Sequence, residues 1–184
     1  YWIGDMGVMV YGIVSNSVLM VNSISNGISQ ASQPLMAVNN GAGLQERVNQ
    51  TFRLARRFSV GTGIFFTALG LLAPAFVVRV FVLPTPEILA MAVPAVRIYF
   101  LAFLTTGINL LLATYFQSVL MPGCALVLSL CRGVIFSGIL VYLLPLLVGV
   151  DGIWAAMPVA EFLALILGIL MKKRGKRKNS RENG

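Results

Sequence analysis

The sequence predicts an all-α membrane protein of about five transmembrane helices, and three observations predict it. Of the 184 residues, 58% are hydrophobic and only 11% are charged, where soluble domains average roughly 25% charged. Mean hydropathy is +0.86, more apolar surface than a water-soluble chain of this size can hide. The apolar residues gather into runs of about 20 residues or more, the length of helix that crosses a bilayer, and breaks rich in proline and glycine separate the runs.

The first run, 8–38, is long enough to span but unusually polar. The second, 58–81, begins after an arginine cluster and ends near Arg79. The third, 88–120, is long enough to include an interfacial turn. The fourth covers 125–147 and the fifth 152–171, with a lysine-rich tail at 172–184. Asn39-Asn40-Gly41-Ala42-Gly43, Pro84-Thr85-Pro86, Met121-Pro122-Gly123 and the pair Pro145 and Gly149-Val150-Asp151-Gly152 supply the turns. Turns this short make consecutive helices antiparallel neighbours.

The net charge of +8 is concentrated rather than spread. Arg47, Arg53, Arg56 and Arg57 follow the first run, and Lys172, Lys173, Arg174, Lys176, Arg177, Lys178 and Arg181 follow the fifth. Clusters beside apolar runs read as topology signals and anionic-lipid contacts, not as a nucleic-acid face. An odd number of spans puts both clusters on one side, which the positive-inside rule makes the cytoplasm of the plasma membrane. Tyr1 is then expected outside and the basic tail inside, and a start outside calls for an earlier span upstream; the first residues, without Met or a signal peptide, read as the interior of a longer protein.

The polar residues within these spans are the candidates for function. On the first helix Ser15, Asn22, Asn26, Ser29 and Gln33 are spaced seven, four, three and four, steps that share one face. An amide facing lipid leaves its hydrogen-bonding groups unsatisfied, so this stripe faces either other helices or a water-filled cavity. Gly27 and Pro34 permit a bend. On the third helix, Asn109, Tyr115 and Gln117 either line a path or bond a neighbour. Glu161 lies mid-span in the fifth helix, where an ionisable group marks function by default. It is either protonated or paired structurally, with Arg132 as a partner, or it binds a proton or a cationic substrate. Arg97 and Glu87 are expected at the outer interface.

The chain has no histidine and two cysteines, Cys124 and Cys131. Seven residues along one helix hold their Cα atoms about 10 Å apart, too far for a relaxed disulfide. No metal-ligand spacing and no nucleophile–base pair can be assembled, and Gly41-Ala42-Gly43 lacks the strand and the Lys-Ser/Thr pair of a phosphate loop. No enzyme activity and no resident cofactor are expected.

Several segments resemble the MATE (multidrug and toxic compound extrusion) family. Gln33-Pro34 with Asn39-Asn40-Gly41-Ala42-Gly43 resembles the stretch ending the family's eighth helix, and Arg47-Val48 the pair after it. Tyr115-Phe116-Gln117-Ser118 resembles the end of the tenth helix. The segment from Ala125 to Arg132, with Leu128-Ser129-Leu130, resembles the opening of the eleventh. Leu144-Pro145, Gly149-Val150-Asp151-Gly152-Ile153-Trp154, Pro158 and Glu161 follow in the family's order. Two features depart: the basic turn after the tenth helix is Val119-Leu120-Met121-Pro122-Gly123-Cys124, and Gly133 replaces a glutamine. The resemblance implies a twelve-helix protein of two six-helix lobes, of which this chain supplies helices eight to twelve and lacks the N-terminal lobe. It implies export of small organic cations in exchange for Na⁺ or H⁺ as coupling ion, by rocking of the two lobes. The alternatives are a flippase for lipid-linked oligosaccharide or polysaccharide in the same superfamily, and a non-functional truncated membrane protein.

Overall fold

The computed structural model describes the backbone of residues 4–182 and the side chains of residues 7–175. Eight α-helices follow in order: α1 (Gly4–Gly41), α2 (Gln45–Leu72), α3 (Pro74–Phe81), α4 (Pro86–Phe100), α5 (Phe103–Ser118), α6 (Pro122–Leu130), α7 (Ser137–Val148) and α8 (Val150–Glu182). A π-helical turn, Cys131–Phe136, joins α6 to α7. There is no strand among the described residues. Among the described residues, stretches Gly7–Gly41, Pro122–Val148 and Val150–Gly175 are each long and apolar enough to cross a bilayer, and counting each of the bent pairs α2–α3 and α4–α5 as one span brings the number up to five.

The structure moves several boundaries. The second helix starts at Gln45, not near 58, because residues 45–57 contain no helix breaker; Arg47, Arg53, Arg56 and Arg57 stand on α2 rather than in a loop. That helix does not run to 81. It stops at Ala73, where Pro74 removes an amide donor, and α3 leaves at 94°. The fifth helix passes 171 and carries its lysines on helix as far as Glu182; of the predicted tail, the side chains after Gly175 lie outside the described residues, as does Tyr1. Pro145 sits inside α7 rather than in the turn, which Gly149 makes alone with φ +73°.

The third run is bent by 41° between α4 and α5. A buried hydroxyl sits at the bend. Thr67 Oγ1 on α2 donates to the Phe100 carbonyl at 2.9 Å. The Leu104 amide, which would take that carbonyl in a continuous helix, bonds Leu101 instead at 3.3 Å. The α4 start is built by Thr85, whose hydroxyl accepts from the Ile88 amide at 3.4 Å, with Pro86 in the first turn.

Packing divides into two apolar clusters with a polar belt between them. One cluster joins Val14, Phe66, Val78, Phe100, Phe103 and Trp154; the other joins Met36, Phe52, Leu111, Phe116 and Leu128. Phe100 and Phe103 meet edge to face at 4.8 Å, an arrangement favoured by the ring quadrupoles. Ser25, Ser29, Ser59, Thr106, Asn109 and Glu161 are buried, each lying along its helix between residues of the two clusters. Small residues let the backbones close on this belt. A methyl group at Gly107 would meet Ser59 at 3.3 Å and Ser25 at 3.4 Å, and one at Gly63 would meet the Phe103 carbonyl at 2.5 Å.

Candidate functional site

Within the polar belt, one acidic group is sealed from solvent. Glu161 is 3% exposed. It sits on a helix whose buried positions Gly152, Ala156, Ala160, Ala164 and Gly168 recur every four residues. Gly152 lies against the Leu144 backbone and Gly168 against Leu112 and Leu128, so α8 packs closely on its neighbours. That closeness brings Asn109 of α5 within reach of two Glu161 acceptors. Its Nδ2 donates to the backbone carbonyl at 2.8 Å and to carboxylate Oε2 at 2.5 Å.

The other carboxylate oxygen faces a cation. Arg132 Nη1 lies 3.4 Å from Glu161 Oε1, an ion pair without hydrogen-bond geometry. Arg132 stands in the π-helical turn, whose wider coil interrupts the regular register between α6 and α7. Its side chain is 27% exposed, so the guanidinium reaches between the buried acid and the outside of the chain. Thr106 flanks the same carboxylate while its hydroxyl donates to Ala102 at 2.9 Å. Asn109 Oδ1 is buried without a hydrogen-bond partner among the described residues. One acidic group, one guanidinium and one unpartnered amide oxygen thus meet in the belt, the kind of intramembrane cluster that can take up a proton or a small cation.

The remaining candidates fall elsewhere. Gln33 and Gln117 meet each other, Nε2 to Oε1 at 3.4 Å, and the Ser118 hydroxyl also reaches the Gln33 carbonyl at 3.4 Å. Asn109 and Gln117 therefore do not share a partner: the first turns to α8, the second to α1. Asn22 is half-buried with its Oδ1 unpartnered among the described residues, and Asn26 is exposed. Both lie beside the buried face of α1, which includes Val10, Val14, Val21, Ser25, Ser29 and Met36. Tyr115 packs on Phe52 at 5.1 Å, and Lys172 Nζ stands over both rings, 2.9 and 3.9 Å from their centroids. Cys124 and Cys131 are free thiols. Sequence reasoning does not reach Thr106 or the four-residue stripe of α8; the stripe's spacing is the available signal.

Fold and belt together define a multi-pass membrane protein of bundled helices with an ionisable centre shielded from lipid. The MatE family model matches residues 1–143, and the chain belongs to the MatE family. Three solved transporters illustrate the likeness. An outward-facing multidrug resistance MATE transporter of the MOP superfamily superposes with TM-score 0.86 at 16% identity, over 98% of this chain and 40% of its own. The MATE multidrug transporter DinF-BH, solved as a complex, gives 0.80 at 33% identity, over 90% and 37%. A MOP superfamily transporter from Pyrococcus furiosus, described as having a binding pocket of reverse polarity that suggests a different function, gives 0.83 at 18%, over 93% and 39%. This chain thus spans about 40% of the length of the transporters it matches. No curated protein matches the sequence.

Proposed function

We propose that this chain forms most of the C-terminal lobe of a secondary active efflux antiporter that exports small organic cations across the plasma membrane in exchange for Na⁺ or H⁺. Glu161 carries the coupling cation or the substrate charge, Asn109 holds it in place, and Arg132 is the internal counter-ion it releases when loaded. The opposing wall of the cavity comes from an N-terminal lobe of the same protein, and Asn22, Asn26, Gln33 and Gln117 line the side facing it. The start of α1 lies outside and the lysine-rich end of α8 lies in the cytoplasm. The single observation that carries this reading is the burial of Glu161 beside Asn109 and Arg132, since an intramembrane acid is costly and by default marks a functional site. Membership of the MatE family supports the transport class.

The test is ethidium efflux from a drug-hypersensitive bacterium expressing the full-length protein. Glu161→Gln is expected to abolish the dependence of efflux on the ion gradient while leaving the protein stably expressed. Unchanged efflux and unchanged ion dependence in a stable Glu161→Gln protein refute the role given to this residue. Asn22→Ala and Gln33→Ala are expected to shift substrate range at normal expression; lost expression with unaltered range assigns them to packing.

A further inference from the structure

Away from the polar belt, α2, α5 and α8 enclose an open groove of about 1090 Å³, at the upper end of the roughly 300–1,000 Å³ typical of small-molecule clefts. Its two flanking helices are polarised in the same sense. Along α2 the lining passes from Arg53, Arg56 and Arg57 to Val60 and Ile64. Along α8, which runs the other way, it passes from Lys173 and Lys172 to Ile169 and Leu165. One end of the groove is therefore cationic from both sides and the other apolar from both sides, with Ile108 and Leu112 of α5 as its floor.

The charges at the cationic end do not cancel. Arg53 is matched by Glu46 at 2.8 Å, and Lys172 stands over the Phe52 and Tyr115 rings. Arg56, Arg57 and Lys173 have no acidic partner among the described residues. Three unbalanced cations at the mouth of an apolar trough match a ligand with an anionic head and a hydrocarbon tail. A soluble anion satisfies only the head and leaves Ile64 and Leu165 unserved; a zwitterionic lipid offers the cations no net charge.

We propose that this groove is a discrete binding site for one anionic phospholipid, its phosphate against Arg56, Arg57 and Lys173 and an acyl chain along Ile64, Ile108 and Leu165. Basic pockets between transmembrane helices on the cytoplasmic side take such headgroups, and each well-placed cation strengthens the attraction by about fivefold. The site is independent of Glu161 and of the transport reading.

The test uses the full-length protein in neutral detergent, titrated with phosphatidylglycerol or with phosphatidylcholine of the same acyl chains, and read by native mass spectrometry. One phosphatidylglycerol is expected to be retained at least about tenfold more tightly than phosphatidylcholine. The Arg56→Gln, Arg57→Gln, Lys173→Gln triple variant is expected to lose that preference, and the Lys/Arg-exchanged variant Arg56→Lys, Arg57→Lys, Lys173→Arg to keep it. Ile64→Trp, which fills the trough and spares the charges, is expected to weaken both lipids. Equal affinity for the two lipids overturns the proposal, as does a preference untouched by the glutamine variant or by Ile64→Trp. Displacement by glycerol 3-phosphate shows a phosphate patch instead of a lipid site and also overturns it. Should the glutamine variant fail to fold, a photoactivatable phosphatidylglycerol on the wild-type protein decides. Labelling of α2 and α8 peptides around the groove supports the site; labelling elsewhere, or a crosslink from Ile64→Cys to another helix of the protein, removes it.

Discussion

If Asn109 holds Glu161, deleting the amide has a cost that depends on whether the carboxylate is there. In the native site Nδ2 makes two bonds, to the Glu161 carbonyl at 2.8 Å and to its carboxylate at 2.5 Å. Asn109→Ala removes both; in a Glu161→Ala background it removes only the first. A hydrogen bond to a charged group contributes about 1.5–3 kcal/mol in soluble proteins, whereas interhelical bonds measured in a membrane protein average ~0.6 and reach ~1.7 kcal/mol. Glu161 is 3% exposed and its nearest cation is 3.4 Å away without hydrogen-bond geometry, which places this bond towards the upper end. The double-mutant cycle of Asn109→Ala and Glu161→Ala is therefore expected to give a coupling of about 1–2 kcal/mol. The measurement is equilibrium unfolding of the full-length protein in mixed micelles. Additivity within about 0.3 kcal/mol would show that the amide does not support the acid, and the arrangement proposed for Glu161 would fall with it.

Other perturbations follow from the same packing. Thr67→Val frees the Phe100 carbonyl that the hydroxyl occupies; it is expected to cost about 1–3 kcal/mol and to lengthen the distance between spin labels at Ala90 and Leu120 as the α4–α5 bend opens. Gly107→Leu drives a branched side chain into Ser59 and Ser25 and is expected to abolish monodisperse protein on gel filtration, while Gly107→Ala, at 3.3–3.4 Å from those neighbours, is expected to survive with reduced thermal stability. Lys172→Ala removes the cation from the Phe52 and Tyr115 rings and is expected to lower unfolding free energy by about 1–2 kcal/mol, with Lys172→Arg close to wild type.

The all-helical character is legible because it needs only apolar runs of bilayer length and the glycines and prolines between them. Gly43, Pro86 and Gly149 end or open helices where their backbone geometry requires it. The start of the second helix is hidden because the hydropathy of 45–57 is low: a helix that leaves the apolar layer keeps its hydrogen bonds after its hydrophobic signal ends. The bend at Phe100 is illegible for a different reason, since the hydroxyl that takes the freed carbonyl there lies 33 residues away in sequence. The same holds for the site. Glu161 stands out in any reading of the chain as an acid among alanines and leucines, and Arg132 is a natural partner. Asn109 on Glu161 needs the approach of α8 to α5, and the pairing of Gln33 with Gln117 needs that of α1 to α5. The belt between two apolar clusters is likewise a property of four helices crossing at one level, and no single helix announces it.

Helix α7 buries none of its residues within the chain, and the π-helical turn that leads into it buries none either. What holds it is a single seam: Gly152 lets the Leu144 backbone lie directly on α8. Any side chain added at that glycine would prise the outer helix, and with it the turn that carries Arg132, away from the buried acid.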